Sequence, residues 1–253
     1  MRKPVKKMKY NNIEKAVFQN RPNRFIAQVE LGGHTETVHV KNTGRCRELL
    51  ISGTEVILEK SSNPDRKTKY DLICVNKSGR WINMDSQVPN KAAAEWIRNG
   101  SLFPEEVTVK TEKTYGNSRF DIYVESEQRK AFIEVKGVTL EADNIARFPD
   151  APTERGIKHV EELIRCLEDG YEAYLLFVIQ MKGVKRFEPN WTTHHEFGEA
   201  LQRAQKAGVK LIARDCLVTE DTIEIQDPVE ICLVEKNHAL RNRNTSGKMV
   251  QRQ

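Results

Sequence analysis

Two carboxylates and a lysine, Asp121, Glu134 and Lys136, lie on two neighbouring segments whose composition predicts β-strands. A short polar segment separates them, which predicts a hairpin symmetric about the point between positions 127 and 128. In that register Asp121 lies opposite Glu134, and Arg119 opposite Lys136, with facing Cβ atoms about 5 Å apart. Because side chains two residues apart share a face of a strand, we expect all four on one face. The other face is uniformly apolar, and we expect it to be the buried one.

Two carboxylates this close repel each other unless a cation or a proton lies between them. Mg²⁺ or Mn²⁺ would take these oxygens as ligands and leave positions for water and phosphate. A lysine on the same face could orient an attacking water or stabilise charge on a phosphorus centre. Glu112 on the preceding strand, or Glu95 on the preceding helix, could add a ligand, although for each a solvated surface carboxylate is the favoured interpretation. The alternative for the whole cluster is an exposed sheet face with ion pairs worth about 0–1 kcal/mol.

The elements around this hairpin predict an α/β layer structure. Asn90 is expected to cap the first helix. Apolar residues at spacings of three and four predict a long helix before a nearly continuous apolar strand, which is typical of a strand buried on both faces. The predicted elements are a helix at 91–99, strands at 107–113, 119–124 and 131–138, a helix at 153–169, a strand at 172–179, a helix at 196–207 and a strand at 209–214.

The first part of the chain has a different pattern, with short alternating strands and no long helix. Five such strands within about 70 residues predict a small barrel or sandwich. We place them at 24–31, around 38–40, and at 53–58, 70–75 and 80–84. The domain organisation predicted is a basic arm at 1–12, a barrel domain at 13–86, an α/β domain at 87–235 and a basic tail at 236–253.

The net charge of +5 over 253 residues hides an uneven distribution. Residues 1–10 and 236–253 each carry five basic residues and no acidic one. Such blocks are solvated arms or bind nucleic acid. The segment 87–235 is acidic, with a net charge of −8. No apolar run approaches the roughly 18 residues of a membrane span, and the first residues do not form a secretory signal. We therefore expect a cytoplasmic protein that does not associate with a membrane.

Several polar residues outside the hairpin are candidates for binding DNA. Arg155 and His159 lie near the start of the long helix, whose N-terminus favours anions, so they could contact a phosphate. A helix cap with a surface ion pair is an equally good interpretation. Asn42 belongs to a polar turn, for which a structural role is the default. Phe25 and Trp81 lie in strands with alternating apolar residues, so we expect them to pack in the core rather than to stack on bases. Basic residues also lie in the barrel loops, where such folds bind nucleic acid, and solvated charge is the alternative for them; they are Arg45, Arg47, Arg66, Lys67 and Lys69.

The chain resembles two known groups. Asp121 with Glu134-Val135-Lys136 is similar to the PD-(D/E)XK nuclease core, with Phe120 in place of the usual proline. More closely, the chain resembles the sugar fermentation stimulation protein (SfsA) family, with Lys41 where that family has proline before Asn-Thr-Gly. The matching stretches are Asn42-Thr43-Gly44-Arg45, Arg66-Lys67-Thr68-Lys69-Tyr70, Tyr115-Gly116-Asn117-Ser118-Arg119-Phe120-Asp121, Ile133-Glu134-Val135-Lys136-Gly137-Val138-Thr139-Leu140 and Phe148-Pro149-Asp150-Ala151-Pro152-Thr153-Glu154-Arg155-Gly156.

This resemblance implies a small OB-like β-barrel followed by a restriction-endonuclease-like α/β domain. It also implies DNA binding without strong sequence preference, with Asp121 and Glu134 as metal ligands and Lys136 as the catalytic lysine. We therefore expect a DNA-binding protein with a nuclease-like site that uses Mg²⁺ or Mn²⁺. The alternative is a non-catalytic DNA-binding regulator of sugar (maltose) metabolism. The sequence does not predict an oligomeric state.

Overall fold

The computed structural model describes residues 7–42 and 44–235. The predictions for the start of the basic arm, for Thr43 in the polar turn and for the tail 236–253 lie outside the described residues. Strand β1 (Met8–Lys9) pairs with a strand of the second domain. Lys7 and Lys9 form ion pairs there with Glu224 and Asp221, at 2.8 and 3.3 Å. The described end of the predicted arm is therefore part of a sheet, with its lysines paired to carboxylates.

A closed five-stranded barrel follows, which confirms the predicted OB-like domain. The sheet order is β4-β3-β2-β5-β6-β7, and a parallel pairing of β4 with β6 closes it. Buried residues alternate along the strands, as Ala27 and Val29 do. The five barrel strands are β2 (Ile13–Asn23), β3 (Ile26–Leu31), β4 (His34–Val40), β5 (Glu55–Lys60) and β6 (Tyr70–Lys77). A sixth strand, β7 (Arg80–Asn83), pairs with β6 beyond the closure.

The second domain is a restriction-endonuclease-like α/β fold, as predicted. Its elements are α1 (Val88–Arg98), β8 (Thr108–Tyr115), β9 (Ser118–Glu125), β10 (Lys130–Val138), β11 (Glu141–Ala142), β12 (Ile145–Phe148), α2 (Glu154–Glu168), β13 (Glu172–Ile179), β14 (Arg186–Pro189), α3 (His195–Ala207), β15 (Lys210–Val218), β16 (Thr222–Pro228) and β17 (Glu230–Ile231). A seven-stranded sheet has the order β1-β16-β15-β13-β10-β9-β8, and a small sheet has the order β11-β12-β14-β17.

Helices cover both faces of the large sheet. Ile133 and Val135 of β10 share a core cluster with Ala92 and Trp96 of α1. Phe132, on the opposite face of β10, belongs to the cluster that contains α2 and α3. The expectation that only one face of the hairpin is buried was therefore wrong. The central strands β10, β13 and β15 are parallel. Their connecting helices α2 and α3 cover one face, and α1 covers the other.

Buried polar groups join the barrel to the second domain. Gln180 follows β13 and is 1 % exposed. Its side-chain amide donates to the backbone carbonyls of Asn83 and Asp85, at 3.1 and 3.0 Å. Glu141, also buried, accepts hydrogen bonds from Lys77 and Arg80 of the barrel, at 2.8 and 2.5 Å. These contacts place the end of the barrel beside the carboxyl ends of β10 and β13.

Candidate functional site

The β9–β10 hairpin positions the two carboxylates. Its register runs from Lys130 opposite Glu125 to Ile133 opposite Ile122, the symmetric register expected from the sequence. Beyond Ile133 the strands no longer pair, and the Asp121 side chain occupies the gap. Its Oδ2 accepts a hydrogen bond from the Val135 backbone N–H at 2.8 Å. One strand therefore holds the carboxylate of the other.

Asn90 of α1 holds the second oxygen of Asp121. Its Nδ2 donates to Asp121 Oδ1 at 2.7 Å. The sequence suggested Asn90 as the helix cap, but the helix begins at Val88, and Gln87 is its N-cap. A proline in the first turn allows this earlier start, because its missing N–H has no partner there in any case. Asn90 therefore lies inside the first turn, and it is a site residue that sequence reasoning missed.

Glu134 lies at the centre of the site and is 2 % exposed. Its Oε1 accepts a hydrogen bond from Lys136 Nζ at 2.6 Å and is also bonded to His159 Nδ1. Its Oε2 is buried without a hydrogen-bond partner among the described residues. A buried carboxylate oxygen without a donor is costly, because it has lost its hydration with no replacement. Glu134 thus has one oxygen that already has two hydrogen-bond partners and one that has none.

Helix α2 extends this cluster from its first turns. Thr153 caps the helix by accepting from the Gly156 backbone N–H at 3.0 Å. Arg155 Nε donates to His159 Nε2 at 3.3 Å. With Nε2 as an acceptor, a neutral His159 carries its proton on Nδ1, which faces Glu134. Arg155 therefore fixes the tautomer of the histidine that holds the central carboxylate.

The two carboxylates differ in acidity. Burial raises the pKa of Asp121 to about 6, and the nearby charge of Glu134 contributes, against the hydrogen bond from Val135 and the charge of Lys136. For Glu134, burial also acts to raise the pKa. The hydrogen bond from His159 and the charge of Lys136 outweigh burial and lower that pKa. Asp121 is thus the group whose negative charge is poorly compensated at neutral pH.

Other residues proposed for this site lie outside it. Glu112 has a side chain that is 65 % exposed and pairs with Arg119 at 3.5 Å, so neither faces Lys136. Its left-handed backbone, with φ of 57°, interrupts β8 opposite Asp121. Glu95 lines a separate groove between α1 and β16. Within residues 7–42 and 44–235, no three His, Cys, Asp or Glu side chains are grouped to hold a metal ion.

The basic candidates of the barrel differ in whether their charges are already paired with a carboxylate. Arg66 makes two hydrogen bonds to the buried Asp71 carboxylate, at 3.0 and 2.7 Å, and Lys41 pairs with the same group. Arg66 is therefore a structural partner, because its charge is neutralised by a buried carboxylate of the barrel domain. Asn42 accepts from the Gly44 backbone N–H at 2.8 Å, which is a turn contact. The exposed candidates that form no ion pair in the described part of the chain are Arg45, Arg47, Lys67 and Lys69.

The fold and site together define a class of protein, in which an OB-type barrel is joined to a restriction-endonuclease-like domain. Two family profiles match: the SfsA N-terminal OB domain at residues 20–84 and the sugar fermentation stimulation protein RE domain at 87–222. The chain belongs to the sugar fermentation stimulation protein family. No helix among the residues described has the length and apolar character needed to cross a membrane.

Known relatives match over nearly their whole length. Sugar fermentation stimulation protein homologs of Ruminiclostridium cellulolyticum and Clostridium beijerinckii are 59 % and 58 % identical over 226 residues. Each match spans 89 % of this chain and 100 % of the relative. The solved structure of Pyrococcus furiosus SfsA in complex with Ca²⁺ is also similar, with a TM-score of 0.79 and 27 % identity. It covers 89 % of this chain and 99 % of that one.

Proposed function

We propose that this protein binds DNA and hydrolyses its phosphodiester bonds with a divalent cation held by Asp121 and Glu134. The observation that carries this proposal is a buried carboxylate, Glu134, with one oxygen lacking a partner, close to the half-buried carboxylate of Asp121 and the amine of Lys136. Such an arrangement is unfavourable without a cation. It is the ligand set that Mg²⁺ or Mn²⁺ uses when substrate phosphate and water complete the coordination.

The donor set fits a divalent cation in three respects. Oε2 of Glu134 is unpartnered, Asp121 has a raised pKa, and both are hard oxygen ligands. The side chains supply only two ligands, as in sites that bind metal through one or two carboxylates and phosphate. The Ca²⁺ in the similar Pyrococcus structure supports a divalent cation for this fold. A bound cation would polarise the phosphate and lower the pKa of an attacking water.

Lys136 and its neighbours supply the remaining chemistry. The side chain of Lys136 is 16 % exposed, so its ammonium reaches the edge of the site. There it can stabilise the charge that grows on a phosphate oxygen as water attacks. His159 and Arg155 hold Glu134 in place, and Asn90 holds Asp121. The chain thus offers a positioned cation site and one positive donor for the transition state.

Affinity for DNA comes from other parts of the molecule, because the second domain is acidic. Exposed basic side chains of the barrel loops can contact phosphates without sequence preference; they are Arg45, Arg47, Lys67 and Lys69. Arg66 is excluded from this set by its bond to Asp71. Each phosphate contact on duplex DNA steepens the log–log dependence of affinity on salt by about 0.9. We therefore expect binding that weakens strongly as salt is raised.

Cleavage assays with plasmid and single-stranded DNA test the proposal. The protein is incubated with each substrate in Mg²⁺, in Mn²⁺ and in EDTA, beside the Lys136→Ala variant. The control is Lys130→Ala, an exposed lysine of the same strand. We expect cleavage only with metal, by wild type and the control. Salt-dependent binding with no cleavage of any substrate would instead favour the non-catalytic DNA-binding regulator of sugar (maltose) metabolism.

His159 is expected to act as a positioning residue for Glu134. His159→Ala should weaken binding of Mn²⁺ about 10- to 100-fold, which is typical when a partner of a ligating residue is lost. His159→Asn should restore part of the affinity, because its amide can donate near the place of Nδ1–H. The control is His195→Ala, an exposed histidine of α3. Titration calorimetry measures these affinities, and an unchanged value in His159→Ala would contradict the assignment.

A further inference from the structure

A groove lined by arginines runs along one end of the barrel. It encloses about 330 Å³ and is bordered by Arg24, Arg45, Arg47 and Leu50, with no acidic residue in its lining. These three arginines are exposed, and none forms an ion pair within the described residues. Unpaired guanidinium groups along an open groove are suited to a chain of phosphates.

Phe25 lies beside this groove with 43 % of its surface exposed, contrary to the expectation of core packing. The guanidinium of Arg24 lies over its ring, 4.7 Å from the centroid. The backbone N–H groups of Phe25 and Ile26 both donate to Asn23 Oδ1, at 2.9 and 3.1 Å. The turn is therefore fixed, and the ring and guanidinium form a flat cationic surface suited to an unpaired base.

Arg21 ties the parts of the groove together. Its guanidinium donates to the carbonyl of Arg24 at 2.6 Å and, across the groove, to the carbonyls of Gly44 and Arg45 at 2.9 Å each. These bonds hold the turn that carries Phe25 beside the turn that carries Arg45. The stacking surface and the arginines are thus preorganised, which reduces the entropy lost when a ligand binds.

The groove adjoins a second opening of the surface at Gly44. Gly44 borders both the groove and a second cavity of about 160 Å³ between the domains. Arg45 N–H donates to Asp150 Oδ2 at 3.2 Å, and a Cβ on Gly44 would lie 2.2 Å from that oxygen. Gly137 also lines the cavity, on the face of β10 opposite to the Lys136 side chain. A cavity of about 150 Å³ holds one aromatic ring the size of benzene, so there is room here for a single base and not for a base pair.

We propose that the groove binds single-stranded DNA, with a base stacked on the Phe25–Arg24 surface and phosphates held by Arg45 and Arg47. Duplex DNA cannot use this surface, because its bases are already stacked inside the helix. This inference rests on the proposed function and names the form of DNA that the site takes.

Fluorescence anisotropy with a labelled 12-nucleotide thymidine strand and a labelled duplex tests this inference. Phe25→Leu should weaken single-strand binding about 10- to 100-fold, the effect of one lost stacking contact, and leave duplex binding within twofold. The salt dependence of single-strand binding should be unchanged in this variant and should fall by about 0.7 in Arg47→Gln. Leu217→Ala, which removes an exposed apolar residue of β15, is the control and should behave as wild type.

The other outcomes separate failure of the stacking surface from failure of the proposed function. Unchanged single-strand binding by Phe25→Leu, or an equal loss on both DNA forms, overturns the stacking surface but not the proposed function. Duplex binding by wild type without single-strand binding has the same consequence. Absence of binding to either form overturns the proposed function as well. Thermal unfolding of each variant separates loss of contact from loss of fold.

Discussion

Lys136→Ala is expected to reduce DNA cleavage by about 10²- to 10³-fold, the usual cost of removing one donor that stabilises transition-state charge. Binding of DNA should change little, since most phosphate contacts lie on the barrel. Lys136 is also the partner of Glu134 Oε1, at 2.6 Å. His159 remains bonded to that oxygen, so the carboxylate keeps one donor. Initial rates on a labelled strand in Mn²⁺ measure the effect.

The catalytic role of Lys136 is tested against a control substitution of another lysine on β10. Lys130→Ala removes an equal charge from the exposed start of the same strand and should cleave at the wild-type rate. Circular dichroism and thermal unfolding should be similar for the two variants. If Lys136→Ala cleaves DNA as fast as Lys130→Ala, another group stabilises the transition state, and Lys136 has only a structural role.

Asp121→Asn is expected to abolish the stabilisation of the fold by divalent cations. In the metal-free wild type, the pKa of Asp121 is raised to about 6 by burial and by Glu134. The folded state then binds this proton more tightly than the unfolded chain, whose aspartate pKa is about 3.9. The corresponding stability is therefore present below about pH 4 and lost as the pH rises through about 6. A cation that binds Asp121 should offset this loss at pH 7.

Thermal unfolding at pH 5 and pH 7, in EDTA and in Mn²⁺, measures both effects. Mn²⁺ should raise the Tm of wild type at pH 7 and leave Asp121→Asn unchanged. Asp143→Asn, a substitution at an exposed left-handed position where asparagine is tolerated, should respond as wild type does. An equal rise of Tm in Asp121→Asn would show that the cation binds elsewhere.

The architecture was predictable where periodicity is strong. The hairpin register, the apolar strand β13 and the helices α2 and α3 follow from alternation and helical spacing. Strand β2 was missed because its second half is polar and contains a proline, so that only Ala16 and Phe18 are buried in it. The small sheet was missed because its strands have only two to four residues and pair at long range.

The site was predictable in its residue types and less so in its contacts. Asp121, Glu134 and Lys136 carry the signal through their spacing, but their partners Asn90 and His159 come from helices packed on opposite faces of the sheet. Spacing within one hairpin contains no information about such packing. Local composition was equally uninformative for Arg66, whose charge is neutralised by the buried Asp71, and for Phe25, which is exposed.

The most direct test of this account is the binding of Mn²⁺ to the metal-free protein at pH 7, measured by titration calorimetry for wild type and Glu134→Gln. The account predicts that wild type binds a cation at this site and that the variant loses it. The loss is expected because the amide carries no charge and offers one acceptor oxygen in place of two. Equal affinity and stoichiometry in both proteins would contradict the central claim, since the cation would then lie away from Asp121 and Glu134.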